Sequence, residues 1–375
     1  MKIKEFKLER LFARYSSIAK YKLSQSACEE CTMQEILDMA DDECRGMWNN
    51  LSLGYTDMMG FAPLREAVAE RFTTVRPSDI LELVPEEGIF IFMNTLLDPG
   101  DEVIVMKPCL PSLYEIPRAL GCKIIKWPLE ETTYGWNLDF NFLAENISPK
   151  TKLLVLNIPN NPTGYIPVKT EMDRILNIAD KMGTWVFCEE TYRGMEHDPA
   201  AALPSLSDMY PRATTIGGIN KYGLAGTRMG WLVTKNRNII ENCAIYKDYT
   251  TLCNNAPGEI LATIAMRNAE YLLQRNHKIV LENLNIAEKF FKKHKKNLQW
   301  IEPNGGSTAF PRLNKRFDVT EMCEKAMNEK ELLIIGERAF GIETNNFRLG
   351  LGRKDFQEAL DVFAEIIKDI ERQAK

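Results

Sequence analysis

No apolar run in this chain is long enough to enter a bilayer. The longest, Gly88 to Met93, falls far short of the roughly 20 residues that a membrane-spanning helix needs. The opening residues, Met1-Lys2-Ile3-Lys4-Glu5-Phe6-Lys7, lack the apolar core of a secretory signal. The cytoplasm is therefore the expected location, with no membrane partner. Neither a GxGxxG dinucleotide fingerprint nor a phosphate-loop GxxxxGK(S/T) is present, which makes NAD and ATP poor candidates. Cys28 and Cys31 form a solitary Cys-x-x-Cys with no second pair and no His-x-His, so no metal is expected. The nine cysteines lie mostly in apolar runs such as Phe187-Cys188 and Gly121-Cys122, as reduced core thiols do. Charge of one sign is scarce as well. The formal net charge is −5 and basic residues are scattered except at Lys292-Lys293-His294-Lys295-Lys296. That run closes a helical pattern, where the helix dipole favours cations, and nucleic acid is not an expected partner.

What is present describes a globular chain of two parts. Its 375 residues exceed one simple core, and 45% hydrophobic with 26% charged residues is ordinary for packed domains. Strand and helix signals alternate from about residue 50 to 260. Glu102 to Met106, Lys123 to Trp127, Leu153 to Leu156 and the run from Trp185 read as short buried strands. Leu113 to Leu120 and Glu171 to Lys181 read as helices stopped by Gly121 and Gly183. Such alternation predicts an α/β fold with a mostly parallel sheet between helices. From about residue 270 a long amphipathic helix leads into short strands and helices. The expected division is a large domain over 46–268, a smaller α/β domain over 269–375, and an N-terminal segment, 1–45, joining the smaller one. No repeat, low-complexity tract or linker marks the boundary.

Three segments carry the chemistry. Asn157-Ile158-Pro159-Asn160-Asn161-Pro162-Thr163-Gly164 turns the chain at the end of an apolar strand. Trp185-Val186-Phe187-Cys188-Glu189-Glu190-Thr191-Tyr192 is a strand ending in acid, acid and tyrosine. Gly217 to Trp231 surrounds one lysine, Lys221, and one arginine, Arg228, with glycines. In this order the segments resemble the class I/II aminotransferase family of pyridoxal-phosphate (PLP) enzymes, over roughly residues 50 to 352. The stretch from Gly88 to Leu129 is also locally similar to capreomycidine synthase-like members.

The resemblance implies fold type I with pyridoxal 5′-phosphate as cofactor, and it assigns roles. Lys221 becomes the Schiff-base lysine. Glu189 stands where an anion holds the pyridine nitrogen protonated, so that the ring accepts electrons; the family usually has aspartate there. Tyr192 and Asn161 match the donors to the phenolic oxygen, Asn161 also lying beside the substrate. Arg228 matches the phosphate-binding arginine, and Leu110 falls where an aromatic usually stacks on the ring. Tyr55, in Gly54-Tyr55, matches a tyrosine that reaches the phosphate in the neighbouring subunit, which implies a homodimer. Arg348, in Asn345-Asn346-Phe347-Arg348-Leu349-Gly350, matches the arginine for the substrate carboxylate. A buried arginine needs an anion partner, so an internal acid is the alternative.

The phosphate cup departs from the pattern. Val84-Pro85-Glu86 replaces a small-residue turn whose N–H groups face the phosphate, and Gly218 stands where serine is common. Proline has no N–H, and a glutamate would repel a dianion unless turned away. Tyr114 is a candidate to replace the missing aromatic. Amino-group transfer between amino and keto acids is the expected reaction. A PLP-dependent lyase or cyclase is one alternative, and a PLP-fold binding or regulatory protein without turnover is another.

Overall fold

The computed structural model describes residues 2–133 and 135–373. Its centre is an eight-stranded sheet made of β1 (Ile80–Leu83), β2 (Glu102–Lys107), β3 (Lys123–Thr132), β4 (Gly135–Leu138), β5 (Thr151–Asn157), β6 (Trp185–Glu189), β7 (Ala213–Gly218) and β8 (Gly230–Val233). The strand order is β1-β8-β7-β6-β5-β2-β3-β4. The five strands β7, β6, β5, β2 and β3 run parallel, whereas β8 is antiparallel to both neighbours and β4 to β3.

The parallel centre follows from the residues. Successive side chains of a strand face opposite sides, and here both sides are apolar. Val103, Val105, Leu153, Val155 and Phe187 enter one core, while Ile104, Met106, Leu154, Leu156 and Cys188 enter the other. The two expected helices form as Ser112–Leu120 and Lys169–Met182, ended by Gly121 and Gly183 at φ 95° and 68°. A side chain would strain those left-handed positions. The sequence reading did not register β1, β4, β7 or β8. Strands of four residues, or ones as glycine-rich as Ala213–Gly218, carry too little periodicity.

Beyond helix Ala269–Lys293, whose last turn holds Lys292 and Lys293, lie five short strands. They are β9 (Leu298–Gln299), β10 (Thr308–Ala309), β11 (Arg312–Leu313), β12 (Ile335–Gly336) and β13 (Phe347–Gly350), followed by helix Phe356–Gln373. β13 pairs between β10 and β12. The N-terminal residues touch both parts. Helix Lys7–Tyr15 packs through Leu8, Leu11 and Phe12 on Phe310 and Phe340. Main-chain bonds then join Tyr21 and Ser24 to Glu331 and Leu333, and Gly350 to Leu23. Helices Met33–Asp38 and Asp42–Asn49 pack against Ala256–Arg267. Among the described residues no helix is long and apolar enough to cross a membrane. Cys28 is a buried free thiol and Cys31 a partly buried one.

Candidate active site

The carboxyl ends of parallel strands are where open α/β sheets bind ligands, because loops and helix N-termini converge there. Leu110 follows β2, Asn161 follows β5, Glu189 ends β6 with Tyr192 three residues on, and Lys221 follows β7. Lys221 sits in a 3-10 turn, Ile219–Tyr222, and is buried. Its Nζ donates to the Ser26 carbonyl at 2.8 Å and lies 4.3 Å from the centre of the Tyr192 ring. The Tyr192 hydroxyl donates to the same carbonyl at 3.0 Å.

Glu189 is buried and clamped. Thr191 donates to one carboxylate oxygen through its hydroxyl and through its N–H at 3.1 Å, and Asn157 Nδ2 donates to the other. Burial pushes the Glu189 carboxyl up, opposed by the Thr191 bonds and the Lys221 charge. Asn157 also accepts from Asn161 N at 2.7 Å, so one side chain ties the octapeptide turn to the strand-end acid. Glu190 is committed elsewhere, accepting from Leu206 N at 2.8 Å.

Arg348 is 1% exposed. Its Nε donates to Ser24 O at 2.9 Å and its Nη1 to Asn161 Oδ1 at 3.2 Å, while Nη2 has no partner. No ion pair to Arg348 occurs among the described residues. Of the two partners left open by the sequence, no internal acid forms an ion pair with it, although Glu9 is near enough for its charge to act on the guanidinium. Burial holds its guanidinium down to about 10. Phe340 and Phe12 cover it, with ring centres 5.2 and 5.8 Å from Cζ. The result is a dry cation with a spare donor, which suits a small carboxylate.

The altered phosphate cup is a coupled change. The ring of Pro85 lies where a side chain at Gly218 would go, since an added Cβ there would sit 2.9 Å from Pro85 Cγ. Serine at 218 and proline at 85 exclude one another sterically. At the start of helix Pro85–Leu96, Pro85 has no N–H and Glu87 takes the Val84 N–H, which leaves the N–H groups of Glu86 and Glu87 for an anion. Arg228, at φ 57°, lies near this helix end and pairs with Glu86 at 2.5 Å. Glu86 is thus not turned away; it occupies the arginine. Glu87 folds back over the helix start, accepting from Val84 N at 3.3 Å through one carboxylate oxygen and from Thr251 N and Oγ1 at 3.2 and 2.8 Å through the other.

Two sequence candidates lie outside this cluster. Tyr55 is 90% exposed. Leu110 packs with the N-terminal helix, Trp136 and Phe310. One face of the Tyr114 ring is taken by Lys107 Nζ, 3.2 Å from its centre. The sequence reading missed Asn157 and Thr191, although both stand inside the motifs it used. It also missed Ser24, Ser26 and Ser307, for which no local pattern existed.

The chain belongs to the class I and II aminotransferases: the profile described as aminotransferase class I and II matches residues 20–366. It is a pyridoxal-phosphate enzyme of that family. Among curated relatives, capreomycidine synthase of Streptomyces vinaceus is 28% identical, over 82% of this chain and 79% of its own length. Aspartate aminotransferase of Thermotoga maritima is 26% identical, over 84% and 82%. A PLP-dependent aminotransferase from Streptococcus suis superposes with a TM-score of 0.91 at 25% identity, covering 99% of both chains. The PLP-dependent cyclase OrfR has the same fold, with a TM-score of 0.90 at 23% identity and 98% of both chains covered.

Proposed function

We propose that this enzyme transfers the amino group of an α-amino acid to a 2-keto acid, with Lys221 carrying the cofactor. The observation that carries the reading is Arg348, a buried guanidinium with one nitrogen free and no ion-pair partner among the described residues. Its neighbours fit the rest of the cofactor. Glu189, fixed by Asn157 and Thr191, would hold the pyridine nitrogen. Tyr192 and Asn161 would serve the phenolic oxygen. Arg228 and the amides of helix Pro85–Leu96 would hold the phosphate once Glu86 yields. Bound there, the cofactor supplies an electron sink that acidifies the substrate's α-carbon.

The protein's own part is positioning and proton movement. Arg348 grips the carboxylate, which fixes the α-carbon relative to Lys221. Lys221 Nζ takes the proton from that carbon and delivers it within the same site. Between these tasks Nζ rests on Ser26 O, its 2.8 Å partner. The same division of labour run backwards serves the second substrate. We also propose a homodimer in the cytoplasm, with Tyr55 of one copy near the phosphate group held by Arg228 of the other. Exposed Leu53, Tyr55, Met58 and Tyr249 support the pairing, and Lys247 Nζ donates to Met58 O, joining the end of helix Arg237–Lys247 to the Tyr55 segment. The division into 46–268 and 269–375, with 1–45 joining the smaller part, belongs to the same proposal.

The test is amino-group transfer from a panel of amino acids to 2-keto acids, beside Lys221→Ala. Transfer by the wild type and none by the variant is expected. A variant that keeps a lysine-dependent visible band and turnover would show that another lysine carries the cofactor. The matches to capreomycidine synthase and to the cyclase OrfR favour a second reading, elimination or ring closure. Ammonia or a cyclic product formed without any acceptor would select it. Full cofactor occupancy with no turnover of any amine would instead select a binding or regulatory role.

A further inference from the structure

The Ser26 carbonyl receives more donors than it can hold. Lys221 Nζ lies 2.8 Å away, the Tyr192 hydroxyl 3.0 Å and the Ser307 hydroxyl 2.8 Å. A carbonyl oxygen has two lone pairs, so one of the three is always surplus. Ser307 has another acceptor at hand, because its Oγ is also 3.3 Å from the Tyr192 hydroxyl oxygen. Ser307 is fully buried, so no bulk water competes for its proton. Its backbone is held as well. Leu351 N donates to Ser307 O at 2.8 Å, and a ring nitrogen of His197 contacts Gly306 O at 2.9 Å.

We propose that Ser307 is a positioning residue that exchanges places with Lys221 on the Ser26 carbonyl; the inference rests on Lys221 being the lysine of the reaction. While Lys221 rests on Ser26 O, Ser307 donates to the Tyr192 oxygen. When Lys221 leaves and the Tyr192 hydroxyl turns to the cofactor's phenolic oxygen, Ser307 turns back to Ser26 O and the carbonyl keeps a donor. Without that exchange the two departures together strand a partly buried acceptor, which opposes the release of Lys221. Ser307 thereby acts on the readiness of Lys221, not on the affinity of the site for the cofactor.

The experiment uses full-length protein stripped of cofactor and reloaded. Pyridoxal phosphate can bond to Lys221, whereas pyridoxamine phosphate, which has no aldehyde, binds only through the other contacts. In Ser307→Ala the rate at which pyridoxal phosphate develops its visible band should fall about tenfold, equivalent to about 1.4 kcal/mol. The affinity for pyridoxamine phosphate should stay within about twofold of wild type, a loss smaller than one unpaired group would cause. With substrate, kcat should fall and KM hold, and Ser307→Thr, which keeps the hydroxyl, should restore both rates. Wild-type capture by Ser307→Ala, equal weakening toward both cofactor forms, or no rescue by threonine would overturn the proposal. If Lys221→Ala still captures pyridoxal phosphate, the underlying reading fails and this one with it. If Lys221→Ala abolishes capture and Ser307→Ala is normal, only the exchange is refuted.

Discussion

Replacing Arg348 by methionine separates a binding role from a structural one, because the two predict opposite balances of activity and stability. For catalysis, Arg348→Met removes one partner of a desolvated charge pair, worth about 3–5 kcal/mol. That corresponds to roughly two to four orders of magnitude in kcat/KM for an α-amino acid. For stability, the folded guanidinium is depressed to about 10, well below the ordinary arginine range, a cost of about 3 kcal/mol. A cation whose folded pKa lies below its unfolded one works against the fold at every pH below about 10, and the penalty fades as pH rises above that. Methionine lifts that penalty but strands Ser24 O and Asn161 Oδ1, the acceptors of Nε and Nη1. Each stranded acceptor costs about 1–3 kcal/mol. The terms offset, so the melting temperature should move by no more than roughly 5 °C. The assay compares kcat/KM for an amino acid and for the amine lacking its carboxylate, beside thermal unfolding. Equal losses for both substrates, or a collapse in stability, would refute the reasoning.

Glu189→Gln should keep the fold and bind cofactor yet lose about 10²–10³-fold in turnover, since a neutral amide cannot hold the ring nitrogen protonated; unchanged turnover would remove Glu189 from the site. Glu189→Asp should also lose activity, because Asn157 and Thr191 hold both carboxylate oxygens at the longer reach and aspartate falls short by about 1.5 Å. An aspartate variant equal to wild type would show that the clamp adapts. Glu86→Ala frees Arg228 from an exposed pair, so cofactor should bind up to about fivefold more tightly, the worth of less than 1 kcal/mol; weaker binding in a titration would mean that Glu86 supports the phosphate site. Sedimentation should find a dimer at micromolar concentration, and Tyr55→Ala should release cofactor faster. A monomer with cofactor bound would contradict the assignment of Tyr55.

What could be read from the sequence was whatever is encoded locally. Runs such as Val103-Ile104-Val105 announce a strand buried on both faces, and Gly121 and Gly183 announce helix ends, because each depends on neighbours in the chain. The placement of Lys221, Glu189 and Asn161 was legible for the same reason: each stands within a few residues of the strand end that carries it to the common edge of the sheet. Arg348 was legible as a buried cation, but not as one without an ion pair, since that requires knowing everything within reach of its guanidinium. Gly218 looked like a loss until Pro85 was seen to fill its space, a collision between residues more than a hundred positions apart. Ser26, Lys221 and Ser307 lie far apart along the chain, and no pattern in the sequence relates them. They meet only because the N-terminal segment pairs with the smaller part of the fold and carries one carbonyl across to the lysine. Local propensity and periodicity decide which elements form, whereas long-range packing alone decides which donors must share an acceptor.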